Sequence, residues 1–246
     1  METTSYPIDV AKLPKHATAD KIDRELARLL KFPIFTKGID MLSLLPTFLS
    51  FHDAEHSRSV LWVVIALALM DNLAPREIEL LGIAAIFHDL GFIEAKSGEP
   101  ELLYENESRG AEHAKLAMLE LGWPNADIDY VRELILDTAL TPHWNGKIFE
   151  QTILRNPNSK YLLDADLNNL GTDNFFPNIV KLFNERFGLA LNSFEELQKY
   201  PHGLSFIEDT YNFISHHSWK TESATMLFKE KEEANFLSLK RILYGC

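Results

Sequence analysis

The chain has 246 residues, 46% of them hydrophobic, 24% charged and 11% aromatic, which is ordinary globular composition and excludes wholesale disorder and fibrous repeats. Lys plus Arg number 24 against 36 Asp plus Glu, a net charge of −12, which argues against a general nucleic-acid binder. A small phosphorylated substrate stays open, because bound metal ions reverse local charge. The one cysteine, Cys246, excludes an intramolecular disulfide framework.

Apolar residues recur at helical spacing along almost the whole chain, with no useful strand alternation and no hairpin signal, so an all-α protein is expected. The opening METTSYPIDVAKLPKH has no apolar h-region, so no signal peptide is expected, and residues 1–19 read as a loose arm. Helices are then predicted over about 20–31, 38–50, 53–71, 75–89, 106–121, 125–139, 147–155, 159–168, 175–187, 193–199, 203–217 and 221–241. Asp53 can cap the helix that runs through Val60–Met70, the longest apolar run and too short for the roughly 20 residues a membrane span needs. Pro75 suits a first helical turn, with Glu77 and Glu79 on its positive end. Gly91 suits a C-terminal stop, the segment Ile93–Tyr104 reads as a surface loop, and Pro124 and Pro142 separate helices. Met226, Phe228, Phe236, Leu239 and Leu243 are the apolar anchors of a final amphipathic helix, and Lys229–Glu233 is its solvated face. No repeat or long linker interrupts 1–246, so one domain is expected, cytoplasmic by default and without a membrane partner.

Five of the nine histidines lie between 52 and 143, in the best-patterned stretch. His52 and His56 are spaced i, i+4, close to one helical face. His88-Asp89 ends the apolar segment LLGIAAIFHDLGF, where a turning backbone can aim both side chains at one point. Imidazole and carboxylate are standard ligands for Zn, Fe and Mn, and burying Asp89 beside Phe87 and Leu90 is costly without a cation or hydrogen-bond partners. Structural alternatives stand beside this: His88 as a satisfied core histidine, Asp89 as a cap, His113 as a surface residue and His143 as a loop residue.

In chain order the series is His56, His88-Asp89, His113, His143 and Asp166, the last within YLLDADLNNL. With its flanks AAIFHDLGF and LLDADLNNLG, the series resembles the HD superfamily of metal-dependent phosphohydrolases over about residues 48–170. The resemblance implies an HD-type helical bundle with a C-terminal helical extension over about 171–246. It implies His56, His88, Asp89 and Asp166 as ligands of a first divalent ion. It also implies a second ion held by His113 and His143 and bridged by Asp89, the metal being Fe, Mn, Zn, Ni, Co or Mg. FHDAEHSRSVLWV resembles the opening motif of cyclic-nucleotide phosphodiesterases; His52 matches their general-acid histidine, with Phe51 where that family has Tyr and Asp53 where it has Asn.

The activity so implied is hydrolysis of a phosphomonoester or phosphodiester of nucleotide type, with Asp89 and His52 as the catalytic residues and a small phosphorylated molecule as the partner; a homo-oligomer is allowed. Two other classes compete. A di-iron oxygenase similar to inositol oxygenase uses the same four His and two Asp, but those enzymes place a lysine soon after the doublet, where this chain has Gly91-Phe92 with Lys96 further on. A non-catalytic nucleotide sensor is disfavoured by the intact ligand set. Asp164 and Asp137 are rival carboxylates, and Glu107 and Ser108 could orient ligands. Lys96, Arg109, Lys115 and Lys160 are candidate phosphate contacts, and His216-His217 is a candidate late contact.

Overall fold

A computed structural model describes residues 6–96, 105–142, 149–151, 153 and 155–245. Eleven α-helices follow one another among them. They are α1 (Ala19–Leu29), α2 (Pro33–Leu42), α3 (Ala54–Met70), α4 (Pro75–Phe87), α5 (Asn106–Glu120) and α6 (Asn125–Leu136), then α7 (Ser159–Asp166), α8 (Phe175–Phe187), α9 (Phe194–Lys199), α10 (Gly203–His216) and α11 (Glu222–Tyr244). Short 3-10 turns cover Val10–Lys12, Leu90–Glu94 and Asn168–Gly171. Among the described residues the fold is all-α apart from one small ribbon. No helix among the described residues is long and apolar enough to cross a membrane.

The centre is the antiparallel pair α3 and α4. Both are apolar nearly all round, the pattern of a helix surrounded by protein. Asp53 caps α3 as expected, accepting from the Glu55 and His56 amides, and Pro75 opens α4 while the Glu77 carboxylate accepts from the Ala74 amide. Around this pair pack α1, α2, α5, α6 and α7. A second apolar cluster, built on Phe175, Ile179, Phe183, Leu197, Ile207 and Leu239, holds α8 to α10 against the C-terminal half of α11.

Five expectations need correction. On α11, Met226 is half exposed rather than an apolar anchor, and Glu232 within the Lys229–Glu233 run is buried rather than solvated, because His217 and Trp219 take its carboxylate. Residues 6–18 are not a loose arm. Tyr6 donates to Asp23 and packs its ring against that of Trp62, His16 meets the Met70 carbonyl at 2.9 Å, and Ile8 and Ala17 are buried. The second helix starts at Pro33 and ends at Leu42, because Pro33 suits a first turn and Pro46 cannot continue a helix. The helix expected at 147–155 is instead strand β2 (Phe149–Gln151), antiparallel to β1 (Leu140–Pro142), with Leu140 opposite Gln151. Mutual pairing satisfies the inward-facing backbone groups of both short strands. The loop expected from Ile93 begins within the 3-10 turn Leu90–Glu94.

Candidate metal centre

Three chain segments end at one point. His56 sits in the first turn of α3, fixed by the Asp53 cap. His88 follows the last residue of α4, and its Nδ1 donates to the Ala85 carbonyl at 2.8 Å, which turns Nε2 toward the cluster. Asp89 has left helical geometry (φ −99°, ψ 3°), which lets it converge with its neighbour. Asp166 closes α7.

The four groups meet closely. His56 Nε2 lies 3.2 Å from Asp166 Oδ1 and 3.4 Å from Asp89 Oδ2. His88 Nε2 lies 3.2 Å from Asp89 Oδ2 and 3.3 Å from Asp166 Oδ1. Ligand atoms of His56, His88 and Asp166 all fall within 4.8 Å of one another. His88 Nε2 and Asp89 Oδ2 are buried and lack a hydrogen-bond partner. Such orphaned atoms are costly, and a cation taking an imidazole lone pair and a carboxylate oxygen removes the cost. Two imidazoles and two carboxylates fit Zn, Mn, Fe, Co or Ni by ligand type.

Electrostatics supports the same reading. Burial by itself disfavours charge on all three groups, yet the histidines hold the Asp89 and Asp166 carboxyls well below the usual range. The two aspartates in turn outweigh burial at His88 and raise its pKa well above the ordinary value. The field that favours a proton at this point favours a divalent cation in its place.

Residues absent from the sequence reading hold the cluster. The Asn106 amide donates to Asp89 Oδ1 at 2.9 Å, and Gln151 donates to Asp166 Oδ2 at 2.7 Å and to the Thr138 carbonyl at 3.0 Å. Each amide ties down the outer carboxylate oxygen and leaves the inner one facing the histidines. Asn106 opens α5 and carried no signal beyond that; Gln151 lay in a segment read as helix. Helix α5 can approach because Gly91 and Gly110 lack side chains: a Cβ on Gly91 would lie 2.1 Å from the Asn106 carbonyl oxygen, and one on Gly110 2.6 Å from that of His88.

His52 stands beside the cluster, its ring 5.8 Å from that of His56 and 4.7 Å from that of Phe92. Its Nδ1 meets Glu185 Oε1 at 2.5 Å, while Glu185 Oε2 accepts the Phe51 and His52 amides at 3.0 and 3.1 Å. Burial works against a charged His52, but Glu185 and Asp89 outweigh it and push its pKa up to about 9. Glu185 lies on α8, 133 residues away in sequence, and no local pattern pointed to it.

The remaining candidates separate. His113 lies on α5 outside the cluster; its Nε2 is buried without a hydrogen-bond partner and sits 4.0 Å from Glu94. His143 lies outside the described residues. Glu107 is pushed up to about 7 by burial and by Asp89 and Asp166, whereas the Ser108 hydroxyl caps back to the Glu105 carbonyl. The rivals serve the framework: Asp137 accepts from Arg155, Asn156 and Ser159, and Asp164 from the Lys220 amide and from the Thr221 amide and hydroxyl. Arg109 pairs with Glu94 and Glu105, Lys115 with Glu112, and Lys160 lies over the Tyr161 ring. His217 meets the buried Glu232 at 2.5 Å, and the His216 Nδ1 meets the Asn212 carbonyl. No protein-family model, no curated protein and no solved structure matches the chain.

Proposed function

We propose that the protein is a metal-dependent phosphohydrolase acting on a phosphomonoester or phosphodiester of nucleotide type. His56, His88, Asp89 and Asp166 would hold a divalent ion, and His113 and His143 would serve a second. When bound, such an ion supplies Lewis acidity, neutralising phosphoryl charge and making water acidic enough to attack at neutral pH. Asn106 and Gln151 keep the two carboxylates in fixed orientation. Hydrolysis breaks the P–O ester bond, and the departing alkoxide takes both bonding electrons and needs a proton. His52 would give it: Glu185 holds Nδ1, which leaves Nε2 as the free ring position, and the Glu185 carboxylate favours the protonated ring.

The observation that carries this reading is the His52–Glu185 pair beside a converging His/Asp cluster. An acid–base group next to a cation site suits ester cleavage, in which a leaving group must be protonated. The test is a panel of nucleoside monophosphates, cyclic nucleotides, dinucleotides and aryl phosphates, assayed with Mn, Mg, Co, Ni and Fe. Turnover of at least one ester, dependent on added metal, is expected. Two irons retained through purification with no ester turned over would sink the hydrolase and favour the oxygenase.

A further inference from the structure

A cavity of about 270 Å³ opens beside His56, between the start of α3 and the start of α8. Its far wall is the segment that continues directly from Asp166: Asn168 and Asn169, then Thr172, then Asn174 just before α8 and Asn178 on it. The side chains of Asn169, Asn174 and Asn178 make no hydrogen bond among the described residues, so their amides are unspent donors and acceptors. The wall behind them is rigid. Asn235, itself buried, donates to the Leu170 and Thr172 carbonyls, and Gly171 lies so close to α11 that a Cβ there would sit 2.5 Å from the Phe228 Cβ. Side-chain amides without a protein partner, carried on a held backbone, offer donors and acceptors to a ligand.

The charge balance narrows the ligand. Lys181 is the one cation lining the cavity, and it forms no ion pair among the described residues. Asp53 and Glu55 line it as well. Away from the metal cluster, a chain of phosphates would meet two carboxylates and a single lysine, in a protein of net charge −12. Amides that both donate and accept match hydroxyl groups that do the same, and Phe51 adds an apolar surface for a ring.

We infer that this cavity binds the neutral, hydroxyl-rich body of a phosphate monoester, a sugar or the ribose end of a nucleoside, and selects against di- and triphosphates. The inference rests on the phosphohydrolase reading for the place of the phosphate, but the sugar-binding cavity is tested without turnover. Saturation-transfer NMR on the parent protein, with ribose and adenosine as probes and no phosphate ester present, should show transfer to the ribose protons. Transfer to the adenine protons as well would identify the nucleoside rather than the free sugar as the better fit. Asn178→Leu should weaken the signal, and the exposed Asn174→Ala serves as a second variant if Asn178→Leu does not fold, with circular dichroism melting as the check. Where esters are turned over, Asn178→Leu should lower kcat/KM for ribose 5-phosphate relative to phenyl phosphate by about tenfold, the worth of one lost hydrogen bond. No transfer to either probe in the parent, or equal transfer in the folded variants, overturns the inference. Transfer to the probes with no ester hydrolysed leaves the cavity standing and removes the hydrolase reading instead.

Discussion

Around α3 and α4 the interior is mainly aliphatic, with Val60, Val63, Ile65, Leu81, Ile83 and Ile86 wholly or almost wholly buried beside Phe35 and Phe87. Around α8 it is aromatic: Phe175 and Phe183 are buried, and Phe176, Phe194, Phe206 and Phe236 pack at their margin. Each region carries one side of the proposed chemistry. The aliphatic centre ends its helices at the His/Asp cluster, where ligands must stay in register. The aromatic layer contributes Glu185, which orients His52, and the Asn174–Asn178 wall of the cavity. On the proposed function the labour would divide: the centre would govern metal binding, and the C-terminal layer proton donation and substrate fit.

The strongest way to break that comparison is inside the centre. Asp89→Ala should abolish metal binding and turnover, because the inner oxygen facing both histidines is gone. Elemental analysis of the purified variant checks this. The same measurement on His113→Ala and His143→Ala should show loss of one ion only; undiminished metal in both would leave a one-ion site on the other four residues.

Next comes the link between the regions. His52→Ala should keep its metal and lose about 10²–10⁴-fold in turnover, the worth of a general acid. The loss should shrink for aryl phosphates whose leaving groups need little protonation. Metal loss in this variant would instead make His52 a ligand or a support.

A third effect belongs to the aromatic layer alone. Phe183 is fully buried among Phe187, Tyr200 and Phe206, and Phe183→Ala should cost about 3–5 kcal/mol in urea unfolding while the folded fraction keeps its metal. Equal loss of metal would mean that the two regions are not separable in this way.

The smallest effect sharpens the boundary. Glu232 is buried with His217 and Trp219, and although burial opposes its charge, His217 holds its pKa below the usual value. A carboxyl depressed on folding stabilises above its unfolded pKa, and that contribution fades as pH falls through the depressed folded value. Glu232→Gln should therefore cost about 1–3 kcal/mol at neutral pH. The difference from the parent should narrow below about pH 4.5 in thermal unfolding.

Much of this molecule follows from its sequence alone. The helices from α3 to α11 begin and end near their expected places because 3.6-residue periodicity and caps such as Asp53 and Pro75 are local properties. The residue types that gather at the cluster were also visible as His56, His88, Asp89 and Asp166 in order along the chain. What tertiary structure decided lies in pairings that no local pattern encodes. Residues 6–18 dock because Trp62, Asp23 and Met70 are there to receive them. Gln151 reaches Asp166 only because two three-residue strands pair, and strands that short lack a periodic signature. Glu185 meets His52 across 133 residues. A buried polar group must find its partner wherever the packed helices bring one within about 3 Å, and that choice is made by the assembled core rather than by the neighbours in sequence.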